Sequence, residues 1–435
     1  MSNFHQSIVQ LIEQIYQAED HALRIELPLD DAPKWSLIDW LDVQPVLPKF
    51  YWQDRDASEE VVSLGAVHTF TDPAPAYAVL GEHQRVWGGR SFDGGTQKNA
   101  SGLPSFFFLP QVELIRRQNQ WFLAVNLNAD RLSVIETLHR LETQQVQMAE
   151  IDAQITGVRH APTQDHWSEL IDDVLSSVEQ QHVKKVVLAR ETCLALSKPL
   201  SAAQLLKASY ANNHNSFHFM LVLNEQESFM GSTPERLYCR YGHELQTEAL
   251  AGTIGRGQTN AEDEALAYWL LHDEKNINEN QYVVDDIVDR ITPHASEVTV
   301  EPEVKLVQLR KVQHLRRRIQ VALKSGINGV QLLSALQPTA AVSGVPRKEA
   351  FQFILDKEPF IRGWYAGSMG YFSHEQAEFC VAIRSALVLD KEVRLYAGAG
   401  IVPGSIAAYE WQELDKKMST LKSLIDESHS LEVVQ

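Results

Sequence analysis

Three charged residues near the end of the chain, in EWQELDKK, are the first candidates for chemistry. Glu410, Glu413 and Lys417 follow one another at helical spacing, so on a helix they share one face. One reading is a surface ion pair worth roughly a few tenths of a kcal/mol. The other is a set of carboxylate ligands for a hard cation beside a positive clamp for an anion. The preceding segment, LYAGAGIVPGS, favours the second, because small residues let backbone N–H groups approach a ligand closely. Glu279, in NINENQYVVDDI, falls on a helical face with Val283 and Asp286, away from Ile277, Val284 and Ile291. Alone it is a solvated carboxylate. Two carboxylates from two helices can hold Mg2+, which prefers oxygen ligands and keeps waters or takes substrate oxygens.

Proton transfer has its own candidates. Glu235 follows Pro234 in GSTPERL at an expected strand start. It is either half of a pair with Arg236 or, facing a pocket, a general acid whose pKa is raised by burial. Glu248 in QTEALAGT is similar in kind, beside a turn expected at Gly252. KKVVLAR carries two lysines into a short apolar run that reads as a buried strand. Strand pattern alone does not separate Lys184 from Lys185; each is a strand-mouth charge or a group that a site needs. Arg384 in FCVAIRSA sits within an apolar strand, where a charge needs a partner. That partner is an internal carboxylate or the carboxylate of a ligand. His314 in KVQHLRRRI reads as a core histidine and Tyr365 in RGWYAGS as a packing residue. No Walker A, G-x-S-x-G or H-E-x-x-H pattern occurs.

These residues need elements to position them. The N-terminal 150 residues mix short apolar runs and turns, with strands expected at 50–56 and 105–110, a surface loop at 88–102 and a helix in 131–150. An amphipathic helix is expected around Ile8, Leu11, Ile12 and Ile15, and another starting near Thr163 or Asp165. Beyond 165, strands and helices alternate. Strands are expected at KVVLAR, 217–223, 244–253, 360–373, 379–388 and 393–402, with 231–240 crossing a turn into another strand, and helices at 201–210, 276–291 and 410–428. Ile277, Val284, Ile287, Val288 and Ile291 form the buried side of the second of these helices. Many strands adjoin strands, so the expected class is mixed α/β (α+β), with large, mostly antiparallel sheets and helices outside.

Composition bounds the function. The chain has 435 residues and a net charge of −18, which disfavours nucleic acid or an anionic membrane surface as partner. An anionic small substrate then needs a locally positive pocket or a metal ion. Cys193, Cys239 and Cys380 are far apart, which fits a reducing compartment rather than disulfides or structural zinc. No signal peptide or membrane-length apolar run is seen, so the expected location is cytoplasmic.

KVVLAR, GSTPERL, EALAGT, DEKNINEN, VQHL, QPTAAVSGVPR, RGWYAGSMGY, FCVAIRS, RLYAGAGIV and EWQELDKK together resemble the chorismate-utilising enzymes, in the order of that family. The resemblance spans about 185–420. It implies the fold of anthranilate synthase component I: two large sheets packed face to face, helices outside, and the active site between them. Residues 1–160 are then the less diagnostic part of the fold and 161–430 the chorismate-binding region, intertwined in one body. By resemblance, Lys185 is the general base on water and Glu235 the general acid on the departing hydroxyl. Glu279 and Glu413 match Mg2+ ligands, with Glu410 in the same turn as the latter. Arg384, Tyr365, Lys417 and the amides of Gly398 and Gly400 match groups that hold substrate carboxylates. Gly252, Thr253 and His314 match pocket-lining positions.

Departures within the family point to one branch. Anthranilate synthases carry glutamine where Lys185 stands, and aminodeoxychorismate synthases a nucleophilic lysine where Ala251 stands. Ala341 replaces a threonine typical of anthranilate and salicylate synthases. These differences resemble isochorismate synthases, which isomerise chorismate and stop, the menaquinone type above all. Salicylate synthase, a siderophore-pathway isochorismate synthase and a catalytically silent chorismate-binding protein are the alternatives. Relatives often show K-E-x-x-E-H before the metal helix; Lys275 to Asn280 here read KNINEN, so a carboxylate is missing at Asn276. No obligatory protein partner is implied.

Overall fold

The computed structural model describes residues 3–30, 33, 35–95, 104–128, 130–144 and 147–426. Twenty strands of these residues join one hydrogen-bonded network. The pairings are antiparallel, as in Glu392–Ile401 on Lys185–Leu196 and Glu244–Gly255 on Val312–Leu323. The two expected sheets appear as two wings of this network. One wing runs from Val86–Arg90 through Ser368–Phe372, Gln376–Val381 and Arg236–Tyr241 to Glu244–Gly255 and Val312–Leu323. The other runs from Lys49–Gln53 through Phe217–Val222, Ser228–Thr233, Ser385–Leu389 and Glu392–Ile401 to Lys185–Leu196. The long strands Glu59–Phe70 and Phe106–Arg117 join them.

Alternating large apolar residues explain why the wings close on each other. Phe50 and Trp52 of one wing and Trp87, Met369 and Tyr371 of the other are fully or nearly fully buried in one cluster. The Trp52 and Tyr371 rings meet edge to face with centroids 6.4 Å apart. Each such side chain contributes on the order of 2–3 kcal/mol by leaving water.

Helices cover the outside and begin where capping residues allow. Ser201 and Gln204 form a reciprocal capping box at Ala202–Asn212. Thr163 caps Gln164–Glu179, and Asp273 caps Glu274–Ile291 by accepting from the Asn276 N–H. Glu274–Ile291 packs on the strand Glu244–Gly255, and Ala407–Asp426 on Glu392–Ile401. Each wing therefore supports one of the helices that carry the candidate metal carboxylates.

Several expectations are corrected. Residues 379–388 are two strands, Gln376–Val381 and Ser385–Leu389, broken where Arg384 adopts a φ of +50°. Within 360–373 only Ser368–Phe372 is a strand; the turns before it place Tyr365. Gly252 does not end its strand: the register slips between Leu250 and Thr253 and the strand continues to Gly255, a bulge rather than a turn. The buried side of Glu274–Ile291 is turned from the expected one: Asn276, Asn280 and Val283 join Val284, Ile287 and Ile291 in it, while Ile277 and Val288 are only partly buried, so the face that Glu279 shares with Val283 turns inward. Gly88 and Gly89 belong to the strand Val86–Arg90, paired on both edges; residues 96–102 of the expected loop lie outside the described residues. The helix in 131–150 stops at Arg140. The last helix spans Ala407–Asp426, and the expected residues 427 and 428 are outside the described set. No helix among the described residues is long and apolar enough to cross a membrane.

Candidate active site

Between the wings lies a narrow cleft that opens to solvent. Glu235, Gly252, Thr253, Glu279, His314, Ala341, Tyr365, Arg384, Gly398, Gly400 and Lys417, separated widely in the chain, all line it. Two expected residues stand just behind the wall. Lys185, the first residue of its strand, is 0% exposed, and its Nζ lies 3.0 Å from Oε1 of Glu279. Glu413 pairs with Nζ of Lys417 at 2.5 Å. Lys184, one residue away, is exposed. Lys184 precedes the strand, whose first six residues, Lys185 included, are all buried.

Nζ of Lys185 approaches the Glu279 carboxylate but lacks hydrogen-bond geometry to any acceptor of the described residues. The glycines opposite make the approach possible. A Cβ on Gly400 would sit 2.2 Å from Oε1 of Glu279 and 2.9 Å from Cε of Lys185. A Cβ on Gly398 would sit 2.9 Å from the Tyr365 hydroxyl. Only glycine lets both side chains reach the strand.

Those same glycines offer backbone donors. On the neighbouring strand, the N–H groups of Val187 and Ala189 donate away from it, to the Ser343 carbonyl and the Glu358 carboxylate. Gly400 and Gly398 are their register partners, so these positions are non-hydrogen-bonded pairs. The polar groups of both glycines therefore leave on the other edge. Lys417 donates to the Gly398 carbonyl there, at 2.8 Å. Ser385–Leu389 covers that edge only as far as Leu395, so past it the strand faces the cleft with its N–H groups free of a partner strand.

The electrostatics are divided. Burial pushes the Glu235 carboxyl up to about 8; the Glu248 carboxylate adds to this, and Lys185, Lys417 and Arg384 oppose it. Glu235 is therefore mainly protonated at neutral pH. Burial, with Arg384 and Lys417, holds His314 well below the usual imidazole range, hence neutral. Arg384 can only donate, so its 3.2 Å contact from Nη2 makes Nε2 of His314 the acceptor. Nδ1 then carries the proton and donates to Oγ1 of Thr253 at 2.9 Å. The reading of His314 as a core histidine is half right: it is buried, and it orients an arginine. Burial brings Arg384 itself down to about 10, opposed by Tyr365, Glu413 and Glu235. Its guanidinium has no ion pair among the described residues, so the internal salt bridge is replaced by a charge facing the cleft.

Glu279, Glu410 and Glu413 converge from two helices. Lys275 bonds Glu410 at 2.8 Å and also senses Glu279 and Glu413. Burial, and then the charge of Glu413, raises Glu410 above the usual carboxylate range. No group of three or more metal-ligating side chains is already gathered among the described residues. The donor set is all oxygen, which fits a hard cation that completes its shell with waters and substrate oxygens. Asn276, which stands where relatives carry a carboxylate, acts as both donor and acceptor. Its Nδ2 donates to Asp273 at 2.7 Å and its Oδ1 accepts from the Thr253 N–H at 3.2 Å, a pairing a carboxylate cannot make.

Tyr396, Val342 and Ile383 also line the cleft and had not been singled out from sequence. Tyr396 stacks on Tyr365 with centroids 5.0 Å apart and planes at 15°. Its signal was available: strand alternation puts Tyr396 on the face of Gly398 and Gly400.

Known proteins share this arrangement of elements. The chain is 37% identical to isochorismate synthase MenF of Pasteurella multocida over 440 residues, covering 98% of this chain and 100% of that one. Its structure superposes on that of MenF, the menaquinone-specific isochorismate synthase from Escherichia coli, with a TM-score of 0.89, 36% identity, and coverage of 98% and 100%. Anthranilate synthase component I from Streptococcus pneumoniae shares the fold, with a TM-score of 0.64 at 19% identity over 93% of each chain. The family model for chorismate binding enzymes matches residues 9–426, and the chain belongs to that family.

Proposed function

We propose that this chain is an isochorismate synthase of the menaquinone type. Water adds at C2 of chorismate, the ring double bonds shift, and hydroxyl leaves from C4. The observation that carries the reading is a carboxyl protonated at neutral pH that lines the cleft, with a buried amine just behind the cleft's wall. Hydroxide is a poor leaving group, so Glu235 donates its proton to the C4 oxygen as the C–O bond breaks. Lys185, as the neutral amine, accepts a proton from the attacking water, so that one proton enters at its Nζ as another leaves Glu235. Each transfer is typically worth ~10²–10⁴ in rate. Arg384, Lys417 and the Gly398 and Gly400 amides receive the two carboxylates of the substrate in a chain whose net charge is −18. Tyr365 and Tyr396 form one wall, and Ala341 leaves open the space a larger residue would fill.

Glu279 and Glu413 would hold Mg2+. Bound there, the ion supplies positive charge to a substrate carboxylate. Well-separated unpaired cysteines support a reducing, cytoplasmic setting.

The test is product analysis of the purified protein with chorismate and Mg2+, with and without EDTA. Isochorismate, formed reversibly and lost with EDTA, is expected. Salicylate fluorescence without an added lyase would show that the enzyme proceeds to pyruvate elimination instead. Chorismate binding without turnover would mark a silent binding protein.

A further inference from the structure

The general acid assigned above is held from an unexpected direction. Arg55 lies just after the strand Lys49–Gln53, 193 residues from its main partner, Glu248. Its guanidinium grips that carboxylate in a fork, Nη1 to Oε1 at 2.5 Å and Nη2 to Oε2 at 3.2 Å. The same Nη1 donates to the Pro234 carbonyl at 2.8 Å. Oε1 of Glu248 in turn accepts the Arg236 N–H at 3.2 Å. The Pro234 carbonyl and the Arg236 N–H belong to the two peptide groups that flank Glu235. Both are therefore tied to one buried ion pair, whose side chains are 12% and 3% exposed. The remaining backbone groups of Glu235 are held too: its N–H donates to Oγ1 of Thr233 at 3.3 Å, and its carbonyl accepts from Val381 at 3.0 Å.

We propose that Arg55 and Glu248 are positioning residues that clamp Glu235 for proton donation, one fixing its backbone and the other setting a negative charge beside its carboxyl. The proposal rests on Glu235 being the acid. Truncating either partner of such a pair leaves the other charge buried and alone, so the pair acts as a unit. The balance at Glu235 is set by the groups that face it. Glu248 comes from the adjoining strand, Lys185 from across the cleft, and Lys417 from the last helix; Arg384, Tyr365 and Cys380 come from the broken strand and its neighbours. Glu248 is the nearby carboxylate among them, and it favours the protonated acid. Glu248 is itself faced by Arg55, Arg236 and Arg316.

The experiment measures kcat and KM for chorismate against pH in the parent, Glu248→Gln, Glu248→Asp, Arg55→Lys and Glu235→Gln, with circular dichroism on each. Glu248→Gln keeps the acceptor for the Arg236 N–H but removes the charge. Its basic limb of kcat/KM is expected to move down by about one pH unit, a roughly tenfold loss on that limb with little change below it. KM should stay within about twofold, and Glu248→Asp should restore the limb. A Glu248→Gln limb that coincides with the parent's overturns the proposal. If Glu248→Gln does not fold, Arg55→Lys decides, because lysine cannot fork between the carboxylate and the Pro234 carbonyl. A fall in kcat at unchanged KM supports the clamp, and an unchanged kcat overturns it. Glu235→Gln separates the two readings. Full activity there sinks the acid assignment itself. An inactive Glu235→Gln beside an unmoved Glu248→Gln limb sinks only the clamp.

Discussion

Glu235 shows how one buried carboxyl links stability to chemistry. Its folded pKa of about 8 exceeds the ordinary 4.5, so between those values the unfolded chain has lost a proton that the folded one keeps. Stability from this group is intact below the lower value and declines as pH rises to the upper one. Glu235→Gln removes that titration. The melting temperature of the variant relative to the parent is expected to rise by a few degrees between pH 5 and pH 8, and level off above. A difference that stays flat across this range would contradict the buried, protonated acid. Activity should fall by ~10²–10⁴ at the same time. Much at this level was legible, because reactive residue types stand in recognisable neighbourhoods. Lys185 could be told from Lys184 only by resemblance, until the strand start at Lys185 fixed which of them points inward. Arg55 was not legible: nothing near residue 55 announces a partner at 248.

Strands and helices were read well where pattern and function agree. Lys185–Leu196, Phe217–Val222, Glu392–Ile401 and the capped helices fall near their expected places. The misses cluster at the cleft. FCVAIRSALV has the composition of one buried strand, and only the left-handed backbone at Arg384 breaks it. Such a conformation is costly for a non-glycine residue and persists where the surroundings enforce it; here it turns a guanidinium into the cleft. The bulge at Gly252 likewise keeps Thr253 paired with His314. Close approach at Gly400 yields a sharper expectation. Gly400→Ala would place a methyl 2.2 Å from the Glu279 carboxylate, so that side chain must move. The Mg2+ concentration for half-maximal activity should rise roughly 10–100-fold, the range seen when a ligand loses its orientation. An unchanged Mg2+ titration curve would count against Glu279 as a ligand.

The molecule as a whole was the hardest to foresee, because pairing across hundreds of residues leaves no local mark. Lys49–Gln53 pairs with Phe217–Val222, and Val86–Arg90 with Ser368–Phe372, so early strands lie inside both wings. The regions 1–160 and 161–430 should accordingly behave as one folding unit. A fragment beginning at 161 is expected to be insoluble or unfolded, and the intact chain to melt in one calorimetric transition. Two separate transitions, or a folded fragment, would disprove this. The net charge of −18 leaves recognition of an anion to a few local cations rather than to the general field.

The open edge of Glu392–Ile401 has a metric consequence. Amides two residues apart on one side of a strand are about 7 Å apart. Gly398 and Gly400 thus form a fixed gauge, held rigid by the ten-residue ladder behind them. A rigid diacid whose acceptor oxygens match that interval can bridge both amides as a missing strand would. Inhibitors could be ranked by this interval before their ring chemistry is considered.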